Sequence, residues 1–448
     1  MLLKLEKLLS LTVDQIRFYI VCCMFFFIFY QKVFVIDVGG SIKIYEVLAL
    51  LLLLLSSCLF LDFKVTKVSI ALFLFFVLSP LVSLICFYFI DGIDLFYLRF
   101  PEAEGIFRYN YRVSPWLNFL NSLSFFAVLY YISHSHLVFL NKKKMIWLYL
   151  VSGGLISIYA LYGYFFVYTL KVPDLIPEFL DYRNSKPVVQ IRPAGFSSEP
   201  GVFFYMLAWS ILYLSFSKVV KSDVSRWSLL LLSSFVLYLT RSTAALAFLV
   251  PFVFVLLIFE KLYVKILSVF LSIFFLAYLV ISGVWQSLIY DYITKLFDYF
   301  SIPTATVSSG LFRSYTSLLG LNLFKDYPLF GVGQGNSYYF LWRYEYDYEI
   351  LNWGERIGFS TPPLNGHIMV LAEQGVFGYF SFTLLFLAFF RSFLKNNDHN
   401  FLKIGLIGLF MTWASMVSIF PPSSLFLWIH LALLANQQLS PERHMASL

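Results

Sequence analysis

Apolar residues in this chain come in blocks rather than in alternation. Runs near or above the roughly 20 residues that a helix needs to cross a hydrocarbon layer recur from end to end, and charged residues collect in the short gaps between them. The alternating ten-residue pattern of a membrane barrel is absent, so the blocks predict helices. Spans are expected near 15–36, 43–61, 68–90, 116–139, 146–170, 200–217, 227–240, 243–259, 266–286, 367–390, 403–420 and 422–437, about twelve by length. The pair at 227–240 and 243–259 is short and flanks Arg241 in YLTRSTAAL; it is either two crossings or two halves of broken helices. The fold class is therefore all-α, with a single integral membrane domain over 1–440, a long loop at 287–366 and a flexible tail, PERHMASL, at 441–448.

Composition agrees: 60% hydrophobic residues, 13% charged and a mean hydropathy of +0.80 do not furnish a soluble surface. The first apolar run is long enough to span and lacks a small-residue cleavage site, so no cleavable signal peptide is expected. Cys22, Cys23, Cys58 and Cys86 all fall within predicted spans, which excludes disulfides and a thiol nucleophile in the loops.

Charge gives the chain an orientation. Lys4 and Lys7, Lys64 and Lys67, Lys142 to Lys144, Lys218, Lys221 and Arg226, Lys261 and Lys265, and Arg391 with Lys395 fall in every second gap. Those gaps, and both termini, are cytoplasmic by the positive-inside rule. The other gaps face out and include the two longest, 171–199 and 287–366. Here the basic residues are mostly arginine: Arg99, Arg108, Arg112, Arg183, Arg192, Arg241, Arg313, Arg343 and Arg356. A planar guanidinium suits bidentate capture of phosphate or carboxylate. The plainer reading is ion pairing with Glu102, Glu104, Glu345, Asp347 and Glu349. It fits less well for Arg192, Arg241 and Arg313, which stand at span ends or among apolar neighbours, where charge is costly.

Four outer stretches carry the candidate chemistry. IRPAGFSSEPGVFFYML, from Ile191 to Leu207, sets Arg192 and Glu199 at the lip of a span, and YLTRSTAAL holds Arg241. In SSGLFRSYTSLLGLNLFKDYPLFGVGQGNS, Leu311, Tyr315, Leu318, Leu319, Leu321 and Phe324 predict an amphipathic helix from about 311 to 325. Pro328 ends it, and Gly331, Gly333 and Gly335 form a turn; without a preceding strand, GVGQG is not a dinucleotide fingerprint. NGHIMVLAEQGVFGYF opens the next span with His367, followed by Glu373 within two turns. His134, His136, His399 and His430 form no comparable grouping, and Glu345, Asp347 and Glu349 lack calcium-loop spacing. The aromatics of SYYFLWRYEYDY and LFYLRF fit a membrane interface.

Taken in order, these four stretches resemble the O-antigen polymerase and O-antigen ligase superfamily, over about Arg192 to Gly378. The first five spans are similar only in being hydrophobic. The resemblance implies a GT-C-like, metal-independent glycosyltransferase that needs no cofactor and acts on glycans carried by undecaprenyl diphosphate, with functional positions at Arg192, Arg241, Arg313 and His367. Ligase-like members tend toward Asn-Pro where this chain has Ser198-Glu199-Pro200, and toward a polar residue where it has Ile368; both departures look like the polymerase branch. A polymerase moves a growing glycan onto the free end of the next lipid-linked repeat unit, and a chain-length-regulating co-polymerase is an implied partner. The three arginines are expected to hold the diphosphate, and His367, with Glu199 as second choice, to act as base. A flippase of lipid-linked sugars is the rival reading, but ionisable groups near the midplane and paired repeats are missing from the sequence.

Overall fold

The computed structural model describes residues 2–30, 36–37, 41–56, 64–90, 110, 112–170, 200–240, 244–260, 309–344, 363–396, 398–417 and 424–436. Arg192, Glu199, Arg241, the predicted span 266–286 and half of the loop 287–366 lie outside them.

The described chain is helical apart from a short antiparallel pair, β1 (Ile36–Asp37) with β2 (Ser41–Ile42). The helices are α1 (Leu2–Phe27), α2 (Ile44–Ser56), α3 (Lys67–Phe87, widened to a π-helix over Leu74–Leu78), α4 (Ser114–His134) and α5 (His136–Leu140). They continue as α6 (Lys142–Tyr162, wound wider over Gly163–Thr169), α7 (Pro200–Phe216), α8 (Asp223–Leu239), α9 (Ala244–Phe259) and α10 (Ser309–Asp326). Last come α11 (Tyr338–Leu341), α12 (Gly366–Leu394), α13 (His399–Ser415) and α14 (Leu425–Ala435). By length and apolarity, Lys67–Phe87, Lys142–Val167 and Gly366–Leu394 qualify as membrane spans, and Ile44–Ser56, Gly201–Phe216, Phe248–Phe259 and Leu425–Ala435 are shorter apolar helices. The protein is thus a helical, membrane-embedded chain.

Three expected spans differ from their sequence limits. The run at 15–36 is helical only to Phe27, and its last residue, Ile36, pairs with Ile42 in the short strand pair. The run at 116–139 breaks at Ser135, whose extended backbone and hydroxyl cap α5 through Val138 N–H (3.4 Å). The third, at 367–390, is interrupted inside α12, as described below. The short pair around Arg241 forms two helices, α8 against α6 and α7, and α9 against α7 and α13.

Described residues at or beside several of the clustered lysines meet at one end of the bundle. The Lys64 N–H donates to Tyr130 (2.7 Å), and Thr66 is joined to His134 Nε2 (2.9 Å). Lys142 donates to the Asn436 carbonyl (2.8 Å), whose side chain reaches the Ser135 carbonyl (3.0 Å). Ser392 donates to Ala435 O (3.4 Å), Tyr131 to Asp14 O (3.0 Å), and Lys403 pairs with Glu260 while lying over the Phe216 ring. These described residues therefore share one face, as an up-and-down path requires. Between the two ends, α14 is wholly buried. Trp428 packs against Phe75, Phe76, Phe386 and Phe389, and His430 sits among Phe25, Tyr149 and Trp209 with Tyr213 on its Nδ1 (3.1 Å).

Candidate active site at the end opposite the lysines

The opposite end is organised by a reversal of direction inside α12. Gly375 adopts φ 64° and ψ −163°, outside helical space and in a region where a side chain is strained. Two helices result, 366–374 and 376–394. The consequence is visible in the rings: His367 lies 5.7 Å from Phe382 and 6.2 Å from Tyr379, centroid to centroid. In a straight helix, fifteen residues would separate His367 from Phe382 by about 22 Å. The first piece therefore folds back along the second, and 376–394 is the part left to cross.

Helix breaks expose backbone groups that need partners. The glycine turn after α10 supplies them. Val332 N–H donates to Ala372 O (3.1 Å) and Gly333 N–H to Glu373 O (2.8 Å), while Val376 N–H donates to Pro328 O (2.8 Å) and Phe377 N–H to Leu329 O (3.1 Å). Two backbones this close leave no room for Cβ atoms. One added to Gly331 (φ +64°) would stand 2.3 Å from the Glu373 carbonyl carbon, and one on Gly375 2.4 Å from that of Leu329. Gly333 and Gly335 also have positive φ, so the turn read from GVGQG is present. Further along, Asn118 donates to Gln334 O (3.2 Å), and the Ser114 and Tyr338 hydroxyls are 3.4 Å apart, fixing the turn to α4.

Side chains complete the junction. The Glu373 carboxylate is buried and accepts from Gly335 N–H (2.8 Å) and from Ser337 Oγ (2.8 Å). Ser79 of α3 donates to Gln374 Oε1 (2.7 Å). The expected grouping of Glu373 with His367 is not formed: six residues at about 100° each turn the two onto different helix faces, and Glu373 serves the glycine turn.

The α10 helix matches its expected extent, but its buried stripe is Thr316, Leu319, Gly320 and Leu323, whereas Leu321 is exposed. Gly320 sets that rotation, since a Cβ there would lie 2.8 Å from both Ile368 and Pro363. Thr316 adds a bond from Leu364 N–H (3.3 Å). Beyond α11, the Tyr344 hydroxyl donates to Asp326, and burial followed by that carboxylate pushes the phenol above its ordinary pKa, so it keeps its proton.

His367 is held from both sides. Asn365 caps the helix start, its side chain accepting from His367 N–H (3.0 Å) and Ile368 N–H (3.2 Å). The ring packs on Trp413 (4.6 Å), and its Nε2 lies 3.1 Å from the Trp413 carbonyl. A carbonyl only accepts, so Nε2 carries the proton and the lone pair of the neutral ring resides on Nδ1. That nitrogen is buried and has no hydrogen-bond partner among the described residues. Gly366 N–H bonds Met416 O (2.6 Å), tying the same helix start to the end of α13.

Of the five sequence-predicted site residues, His367 alone can be placed in full. Arg313 lies in α10, without a described side chain, and Arg192, Glu199 and Arg241 lie outside the described residues. Among the described residues, no three His, Cys, Asp or Glu groups gather as a metal site, and Cys22, Cys23 and Cys86 are free thiols. The Trp413 carbonyl and the Gly375 break were not singled out in the sequence. Asn365 directly before a helix was a readable cap.

Residues 228–383 match a family model described as O-antigen ligase. The matched stretch runs from α8 through α10 and the glycine turn to Thr383, and so contains Arg241, Arg313 and His367. It supports the O-antigen ligase and polymerase superfamily. No curated protein matches the chain.

Proposed function

We propose that this protein polymerises oligosaccharide repeat units carried on undecaprenyl diphosphate, transferring the growing glycan to the free end of an incoming unit. One observation carries the reading: the family match spans the glycine turn and His367, and His367 is oriented by Trp413 so that the lone pair of its neutral ring lies on Nδ1. An imidazole steered by a carbonyl on its far nitrogen is suited to take a proton from a sugar hydroxyl.

In this reading the acceptor hydroxyl oxygen attacks the anomeric carbon of the donor glycan. Its proton passes to His367, with Glu199 the second candidate base, as the bond from that carbon to the diphosphate oxygen breaks. Arg192, Arg241 and Arg313 bind the diphosphate and offset the negative charge that grows on it, a role for which no metal is required. Nδ1 is covered in the structure, so the mechanism requires acceptor binding to open a path to it.

The reading extends to architecture. The chain has about twelve spans in a GT-C-like arrangement, forming one membrane domain over 1–440 with the loop 287–366 within it and 441–448 as a tail. The lysine-rich end faces the cytoplasm by the positive-inside rule. The site then faces the periplasm from the bacterial inner membrane, where a co-polymerase sets chain length.

Ligation of glycan to a lipid A core is the second reading, favoured by the description of the matching family. Gel analysis of surface polysaccharide from a strain lacking the protein separates the two. Single repeat units left on the core support polymerisation; loss of all attached glycan supports ligation. Purified protein in liposomes addresses the flippase alternative, because lengthening of a lipid-linked glycan is not a product of transbilayer movement.

A further inference from the structure

We propose that Glu373 is a positioning residue: its carboxylate keeps the glycine turn seated in the break of α12 and thereby fixes His367 relative to the helix that carries Arg313. This rests on the glycosyl-transfer reading above. Glu373, Gln374 and Gly375 are consecutive, and between them they meet two other elements, the connection from α10 to α11 and α3. Glu373 holds Gly335 and Ser337, Gln374 accepts from Ser79 on α3, and Gly375 lies against the Leu329 backbone. The break is thus a three-way junction, and the turn at its centre runs directly from the end of α10.

The chemistry of the tether argues for geometry rather than bulk stability. A buried carboxylate is costly, and apolar side chains of the same size commonly serve stability as well or better. Glu373 forms no ion pair among the described residues. Its two short bonds to a backbone N–H and a hydroxyl specify position in a way that apolar contacts do not. Apart from this side chain, the turn is joined to residues 372–377 by backbone bonds and by the close approach of Gly331 and Gly375; the carboxylate adds a tether further along, at Gly335 and Ser337, that holds the rest of the turn in the same register.

The test uses the full-length protein in membrane vesicles and reads the turn separately from the reaction. Val332 is a fully buried residue of the turn itself, so a Val332→Cys variant should react slowly with a membrane-impermeant maleimide, over the background labelling of the native cysteines. Adding Glu373→Ala should raise labelling at least about tenfold, and should lower kcat for lengthening of lipid-linked glycan by a similar factor with little change in KM. Glu373→Gln, which keeps one acceptor oxygen, should restore much of both. Unchanged labelling with Glu373→Ala overturns the tether. Raised labelling with undiminished lengthening overturns the positioning role. Raised labelling in a protein whose unmodified form lengthens no glycan refutes the proposed reaction and leaves the tether standing. If the alanine variant fails to insert, Ser337→Ala removes one of the two bonds and should give the same pair of changes, smaller in size; normal labelling or normal kcat in it counts against the proposal.

Discussion

Gly331 and Gly375 are mutually dependent: the space a Cβ of each would need is filled by the backbone on the other's side of the junction, at 2.3 and 2.4 Å. The loop and the helix break are therefore one structure. Neither half has its backbone satisfied without the other, since Gly375 interrupts bonds that the segment Pro328–Gly333 replaces.

Gly375→Ala should be among the most damaging small substitutions in the chain. Backbone at φ 64° and ψ −163° is essentially reserved for glycine and costs another residue about 1–3 kcal/mol, and overlap with Leu329 adds to it. The variant is expected to insert, unfold at lower temperature and build no long polymer, as read by thermal unfolding and by gel ladders. A normal ladder would mean that the break is not needed for activity.

Loss of the His367 imidazole should reduce the product to single repeat units while the protein still reaches the membrane. General-base contributions of about 10²- to 10⁴-fold are typical, enough to erase the upper rungs of a ladder. Full-length ladders from His367→Ala would exclude His367 from the mechanism and leave Glu199 as the base to test.

For Arg192, Arg241 and Arg313, replacement by lysine should fail almost as badly as replacement by alanine. One ammonium does not reproduce two parallel N–H bonds to a diphosphate. Polymer length measured for the three lysine variants decides this; wild-type activity in all of them would make these arginines ordinary ion-pair partners.

Gly320→Val should push α10 away from the start of α12, because the new side chain meets Ile368 and Pro363 where 2.8 Å is available to its first carbon. Overpacking of this kind costs about 1–3 kcal/mol. Adding Ile368→Ala should recover part of the loss in both thermal stability and lengthening, as contacting residues couple. Equal effects with and without Ile368→Ala would show that the two helices do not depend on this contact.

Much of this arrangement was legible before the structure. Blocks of apolar residues gave the helices, and the alternation of lysine-rich gaps gave the two ends, whose contacts through Lys142, Asn436, Ser392 and Glu260 bear out a common face. The helix over 311–325 and the turn at Gly331, Gly333 and Gly335 were also readable, as proline and glycine punctuate chains locally. The reversal at Gly375 was not. A lone glycine in an apolar run usually continues a helix, and what forces this one out is a backbone more than forty residues earlier in the chain. Glu373 was misgrouped for the same reason, because sequence proximity to His367 says nothing about the turn that claims its carboxylate. Leu321 was assigned to the wrong face because the absent side chain of Gly320, rather than the largest apolar residues, sets how α10 lies.

The reciprocal fit at Gly331 and Gly375 also constrains how this protein can change over generations. A side chain gained at either position is harmless only if the opposing strand of backbone has already withdrawn, and withdrawal strands amide groups that then require new company. Two simple point changes are thus closed off unless they arrive together with a remodelled loop, so lineages that retain this junction are expected to carry both glycines.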